Sequence, residues 1–293
     1  MRKRARSKNA EAVAAIRAVH QKYDSPLILD DPLAYQLTSP AWRTVIRAPL
    51  LRSLVFGRFL RVLRPVHGQI LARARFAEDQ LKLAVRGGVQ QYVILGAGLD
   101  SFAFRRPPWA KEVRVYELDH PATQMAKRRR LQELGLSIRE KLELVPIDFE
   151  SQSPQDVLTG SGFNPRERSF FSWLGVLVYL TPEAITDTLS SIASVAAPGS
   201  ELVLDYMLPD VIVDPSELKT MEFVRRMNER RGEPYLTYYE PNSLAEEMSR
   251  IGLEVIEDLS PSAQSARYFT GRTDDLKPWA SSCLLLARKG LTA

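Results

Sequence analysis

The chain has 293 residues, 45% of them hydrophobic and 26% charged, enough apolar material for one large domain with a sizeable core. A single cysteine, Cys283, excludes an internal disulfide framework, and its apolar surroundings Cys283-Leu-Leu-Leu-Ala287 read as a buried strand. Three widely spaced histidines near no cysteine leave no metal site of ordinary ligand spacing. The net charge of +5 is unevenly distributed. Residues 1–75 carry 15 Lys and Arg against four acids, and the remainder carries 25 against 31. Such a basic segment can dock on its own acidic body, attract an anionic substrate or meet nucleic acid. The first reading is the simplest, and the scarcity of aromatics among the N-terminal arginines speaks against the last.

In chain order, MRKRARSKNA is followed by no long apolar stretch, so neither a signal peptide nor a membrane span is expected, and a cytoplasmic location is. Residues 10–22 are alanine-rich, with Val13, Ile16 and Val19 on one helical face. Asp30-Asp31-Pro32 opens another helix, with a capping acid and a first-turn proline. Residues 42–64 and 67–86 are predicted helices, separated at Pro65 and closed by Gly87-Gly88. Residues 1–88 are therefore expected to form a helical N-terminal lid segment.

From residue 89 the pattern alternates. Strands are predicted at 92–95, 113–117, 142–146, 169–173, 202–206, 253–258 and 281–287. Helices fall between them at 121–135, 154–159, 182–197 and 241–251, the third capped by Thr181 ahead of Pro182 and Glu183. The expectation is an α/β fold over 89–293: a Rossmann-like, mostly parallel seven-stranded sheet with helices on both faces. A proline-rich insertion at about 208–240 interrupts it and is expected to act as a lid.

In such sheets ligands bind beyond the carboxyl ends of the strands. The first strand runs into Leu95-Gly96-Ala97-Gly98-Leu99-Asp100-Ser101. A dinucleotide loop would have glycine at the position of Ser101, and Asp100, with no cation adjacent in sequence, opposes a diphosphate. A ligand carrying a sulfonium and an amino group suits this loop better, and S-adenosylmethionine is such a ligand. The second strand ends in Glu117-Leu118-Asp119; either acid could accept the ribose hydroxyls, and alternation places both on one side. The third leads to Asp148-Phe149, which could take the adenine amino group and face. For each the plainer alternative is a turn glycine, a helix cap or a loop acid.

These segments make the sequence similar to the leucine carboxyl methyltransferase family, in its bacterial branch of S-adenosylmethionine-dependent O-methyltransferases. The resemblance rests on Asp30-Asp-Pro-Leu-Ala34, Ala74-Arg-Phe-Ala-Glu-Asp79, the stretch from Gly88 through Gly-Ala-Gly-Leu-Asp-Ser to Arg105, Tyr116-Glu-Leu-Asp119 and Gly232-Glu-Pro234. It runs from about residue 10 to the C-terminus. The resemblance implies the class I methyltransferase fold, and cofactor contacts from Gly96, Asp119 and the Asp148-Phe149 pair. It also implies an arginine for the cofactor carboxylate, which maps onto Arg75, with Arg73 next in line. Many relatives carry a glutamate after the fourth strand where this chain has Leu174.

The expected function is O-methyl transfer to a small-molecule carboxylate or hydroxyl, of the kind met in polyketide assembly. A carboxylate is ionised near neutral pH and needs no base, whereas a phenol gains from one, and no decisive base is evident. The other classes weighed are a nicotinamide-dependent oxidoreductase, opposed by Ser101, and a methyltransferase fold that only binds nucleic acid, opposed by the intact loop and acids.

Overall fold

The computed structural model describes residues 8–57, 63–138, 140–149 and 151–291. The basic tail at 1–7 and part of the predicted 42–64 helix lie outside them. Seven strands form one sheet in the order β3-β2-β1-β4-β5-β7-β6: β1 (Gln91–Leu95), β2 (Arg114–Asp119), β3 (Leu142–Pro146), β4 (Ser169–Trp173), β5 (Glu201–Met207), β6 (Leu253–Leu259) and β7 (Ser282–Lys289). The pairings among β1 to β5 are parallel, while β7 runs antiparallel between β5 and β6. The order reverses at β1, which pairs with β2 on one side and β4 on the other, and a switch point opens beyond the ends of β1 and β4.

The five residues of β1 are all buried, as a strand covered on both faces requires. Val93 and Leu95 face a core that includes Trp173, Leu204 and Ile192 of α9 (Pro182–Val195). Tyr92 and Ile94 face the opposite core, with Leu71, Phe76 and Leu81 of α5 (Arg64–Arg86). A third cluster joins Ala15, Ile16 and Val19 of α1 (Lys8–Tyr23) to Ala34, Ile46, Phe56 and Ile70.

The helical N-terminal region departs from expectation around its prolines. Two helices, α3 (Pro40–Arg47) and α4 (Pro49–Phe56), occupy most of what reads as one, because Pro49 cannot continue a helix but suits the first turn of the next. Pro65 likewise stands in the first turn of α5 instead of ahead of it. The one-turn helix α2 (Ala34–Leu37) starts after the Asp30-Asp31-Pro32 motif, with Leu33 at its N-cap and no side-chain cap, so neither acid caps it and Pro32 lies ahead of its first turn. Past β1 come α6 (Phe102–Arg105), α7 (Pro121–Glu133) and α8 (Pro154–Thr159). The 208–240 insertion consists of two single turns, α10 (Leu218–Arg230) and an extended return, followed by α11 (Pro241–Arg250). A further helix, α12 (Pro261–Tyr268), was not expected; Ser260 caps it and Pro261 opens it.

Candidate functional site

A cleft of about 940 Å³ opens beyond the ends of β1 and β4. Its floor is the turn after β1. Gly96 has φ +68°, and a Cβ there would stand 2.6 Å from Val176 Cγ2, so glycine is required by both conformation and space. The amides of Gly96 and Ala97 donate to Leu118 O, which ties the turn to β2. The Gly98 amide donates to Asp119, whose other oxygen accepts from His120 N at 2.6 Å. Burial pushes the Asp119 carboxyl up, and these two amides oppose that shift.

Of the two acids on β2, only Asp119 lines the cleft. It is the last residue of the strand and reaches over its end, whereas Glu117 lies one pleat deeper and is paired with buried Lys127 of α7. Burial drives Glu117 up to about 7 against the pull of that lysine. His120 caps α7 by accepting from Ala122 N, the helix-start role its position suggests. Asp148 and Phe149, just past β3, line the same wall.

Asp100 fulfils its capping role, accepting from Phe102 N at 2.7 Å. The sequence shows no cation beside it, but the fold supplies one. Arg17 of α1 comes within 3.7 Å of Asp100, lies 3.4 Å from Asp31 and donates to Leu99 O at 2.6 Å. Asp100 is therefore not a bare negative charge, and the local case against a diphosphate falls back on Ser101. That serine is fully buried and accepts from Arg105 Nε at 2.9 Å, a packing position unlike the close-approach glycine of a dinucleotide loop. Arg105 also pairs with Glu78 and lies 3.6 Å from Asp31. The family-like motifs around residues 31, 78, 100 and 105 thus converge on one buried charge cluster beneath the glycine turn.

The two candidate arginines lie on different sides of α5. Arg75 does not line the cleft; it bonds to Asp79 at 2.9 Å and to Ile28 O at 3.1 Å, with 45% of its side chain exposed. Two residues along a helix turn the side chain by about 200°, so Arg73 points the other way. It lies in the cleft, 14% exposed, 3.2 Å from Asp205 at the end of β5. Gly175, at φ +68°, makes room for it, since a Cβ there would overlap the guanidinium.

Apolar side chains also line the cleft, Trp42, Phe56, Val66, Ile70, Met227 and Leu236 among them. His67 stands there beside Phe56, ring centroids 5.7 Å apart, and is driven down to about 4 by burial and by Arg64, against the pull of Asp24. Tyr179 and Tyr235 meet edge to face at 5.4 Å, and burial raises both phenols. Asn9 of α1 donates to Tyr179 Oη at 3.1 Å and reaches Asn228 of α10 at 3.5 Å, so α1 and the insertion meet over the opening. Sequence reasoning missed Arg17 and the pairing of Asp205 with Arg73. The available signal for Arg17 was an arginine set between Ile16 and Ala18 on an otherwise alanine-rich face. Among the described residues no group of three or more His, Cys, Asp or Glu side chains is placed to hold a metal, and no helix is long and apolar enough to cross a membrane.

Comparison with known proteins accords with this geometry. The family model for leucine carboxyl methyltransferase matches residues 10–193. A Bacillus subtilis (strain 168) protein, "Putative S-adenosyl-L-methionine-dependent methyltransferase YktD", is 32% identical over 291 residues, spanning 94% of this chain and 95% of its own length. A Mycobacterium marinum protein whose name carries the same activity is 34% identical over 220 residues, 71% of this chain and 64% of that protein. Among solved structures, one titled as a putative methyltransferase from Thermobifida fusca YX superposes with a TM-score of 0.61 at 14% identity, over 95% of this chain and 94% of the other. A Streptomyces avermitilis MA-4680 protein gives 0.59 at 16% identity, over 95% and 97%. At such identities these two likenesses speak to the fold. The chain belongs to the leucine carboxyl methyltransferase family. Its class is that of S-adenosylmethionine-dependent methyltransferases, and S-adenosylmethionine is its cofactor.

Proposed function

We propose that the protein transfers a methyl group from S-adenosylmethionine to an oxygen of a small-molecule acceptor, with a carboxylate favoured over a hydroxyl. The observation that carries this reading is one cleft that gathers Gly96, Asp119, Asp148 and Arg73 together with apolar side chains from the N-terminal helices and the 208–240 insertion.

The residues present fit the cofactor. Asp119 has a carboxylate in reach of a ribose, and Asp148 with Phe149 offers an acceptor and an aromatic face to adenine. Gly96, Ala97 and Gly98 keep the floor free of side chains, and Asp100 shapes the turn from below. Arg73 supplies the cation for the methionyl carboxylate in place of Arg75. When bound, the cofactor supplies a methyl carbon already activated by its sulfonium, so the protein's part is positioning and exclusion of water. The helical segment and the insertion, clasped through Asn9, act as the lid that does this.

The choice of acceptor is supported by the weakness of His67 and the cleft phenols as bases. His67 is neutral above about pH 4, and an imidazole driven so low is a poor proton acceptor for a phenol with pKa of about 10. The raised phenols Tyr179 and Tyr235 stay protonated. A carboxylate is already ionised and asks for no proton transfer.

The test is calorimetric titration with S-adenosylhomocysteine and, separately, NADH, on the native protein and on Asp119→Ala, followed by methyl transfer to a panel of aromatic and aliphatic carboxylates and phenols. Adenosyl binding abolished by the substitution, with turnover on carboxylates, is the expected result. A response to NADH with none to S-adenosylhomocysteine would overturn the site assignment, and turnover confined to phenols would overturn the choice of acceptor.

A further inference from the structure

We propose that Asp205, at the carboxyl end of β5, receives the ammonium group of the bound cofactor, so that the Arg73–Asp205 pair reads the amino-acid end of the ligand as a zwitterion. The inference rests on the reading of the cleft as an adenosyl site and of Arg73 as the partner of the carboxylate.

Ammonium and carboxylate of an amino acid hang on one carbon. Whatever acid receives the first must adjoin the cation that holds the second. Among the described residues, six acids line the cleft: Glu78, Asp100, Asp119, Asp148, Asp205 and Glu233. Glu78 is engaged by Arg105, Asp100 caps α6 and faces Arg17, and Asp119 is held over the glycine turn by Gly98. Asp148 follows β3, at the far side of the switch point from β5. Asp205 alone among them is in contact with Arg73, at 3.2 Å.

The position is built to hold a carboxylate. Asp205 is 5% exposed; one oxygen accepts from Gly175 N, and the other from Gln69 Nε2 and Arg73 Nη1, both at 3.2 Å. Gln69 is itself fixed by Ser282 Oγ at 2.7 Å. The parallel pairing of β4 with β5 sets Trp173 opposite Leu204, which brings Asp205 level with the Leu174-Gly175 step. This is where the family resemblance calls for a glutamate and the chain has leucine. A carboxylate reaching in from the neighbouring strand supplies the charge that Leu174 lacks, and Gly175 leaves the space for Arg73 beside it. A zwitterion against an ion pair balances the charges at the amino-acid end of the ligand, a cheaper arrangement than burying either sign alone.

Binding of three ligands tests the assignment. S-adenosylhomocysteine carries both charges, carboxypropyl-thioadenosine keeps the carboxylate without the amino group, and methylthioadenosine has neither. Titrations are run on the native protein, Asp205→Asn and, as a control acid from the insertion, Glu233→Gln. The expected result is that Asp205→Asn weakens S-adenosylhomocysteine about tenfold to a hundredfold, leaves the other two within about threefold, and removes the native preference for the aminated ligand. Equal weakening of both carboxylate ligands would make Asp205 a positioning residue for Arg73 and overturn the proposal. Loss at Glu233→Gln with none at Asp205→Asn overturns it as well. Retained methylthioadenosine binding shows that Asp205→Asn folds, while its absence from the native protein would instead bring down the adenosyl-site reading itself.

Discussion

Gly175→Ala separates backbone strain from ligand recognition at a single atom. The glycine has φ +68°, a conformation that costs an L-residue about 1–2 kcal/mol. The added Cβ would stand 2.5 Å from Arg73 Nη1 and 2.6 Å from Cζ, against ordinary contact from 3.4 Å. The guanidinium must therefore withdraw by roughly 1 Å, which breaks its contact with Asp205. With an unfolding entropy of about 2.1 cal/mol/K per residue, 293 residues give roughly 0.6 kcal/mol per degree, so the backbone cost lowers Tm by about 2–3 °C. Displacing Arg73 should weaken S-adenosylhomocysteine by about tenfold or more, the worth of a charge-assisted hydrogen bond. Methylthioadenosine, which has no carboxylate, should bind as before. Thermal melts and calorimetry on the two ligands separate these effects. A Tm shift of the expected size with S-adenosylhomocysteine affinity within about twofold of native would refute the placing of Arg73 against the carboxylate.

Three further outcomes follow from the same geometry. Arg105→Ala leaves buried Glu78 without its cation and Asp31 with Arg17 alone, which should cost about 3–5 kcal/mol and show as a Tm drop of several degrees; an unchanged melt would mean the cluster carries no stability. His67 has a folded pKa near 4 against an unfolded value of 6.5, so the unfolded state binds more protons between those limits. Its contribution is fully present above about pH 6.5 and is lost as pH falls towards 4, up to about 3 kcal/mol, and His67→Gln should flatten that part of the denaturation profile. Asn9→Ala removes the clasp between α1, Tyr179 and α10, which should cost about 1 kcal/mol of closure and speed proteolysis of the 231–240 return; the same cleavage rate with and without S-adenosylhomocysteine would count against a lid.

The sheet was legible because each strand is a short apolar run and each crossover carries its own cap or proline. The strand-end acids were legible for a related reason: a parallel sheet converts three separate acid positions into one wall. What failed to show was whatever depends on rotation about a helix or reach across the chain. Arg73 and Arg75 differ by about 200° on α5, and only packing against β4, β5 and β7 decides which of them meets the cleft. Glu117 and Asp119 share the parity of β2, yet the strand stops at Asp119 and leaves it free to curl over the turn. The cation beside Asp100 comes from Arg17, 83 residues earlier, a distance over which periodicity says nothing.

That long-range pairing also bears on how the chain divides. The change of pattern near residue 88 suggests a boundary between a helical segment and the sheet domain, but the packing does not follow it. α5 lies before that point and supplies Leu71, Phe76 and Leu81 to the same core as Tyr92, Ile94 and Phe170. Ahead of α5, Arg17 and Asp31 belong to the charge cluster whose other members, Asp100 and Arg105, flank the glycine turn. Part of the basic character of the first 75 residues is spent inward: Arg17, Arg64 and Arg73 all reach acids of the fold, the last two bridging to residues beyond 200. A segment anchored this way behaves as part of the cofactor turn's foundation. Within the lid proposed above, the first turn of α1 and the α10 insertion are the parts that Asn9 joins.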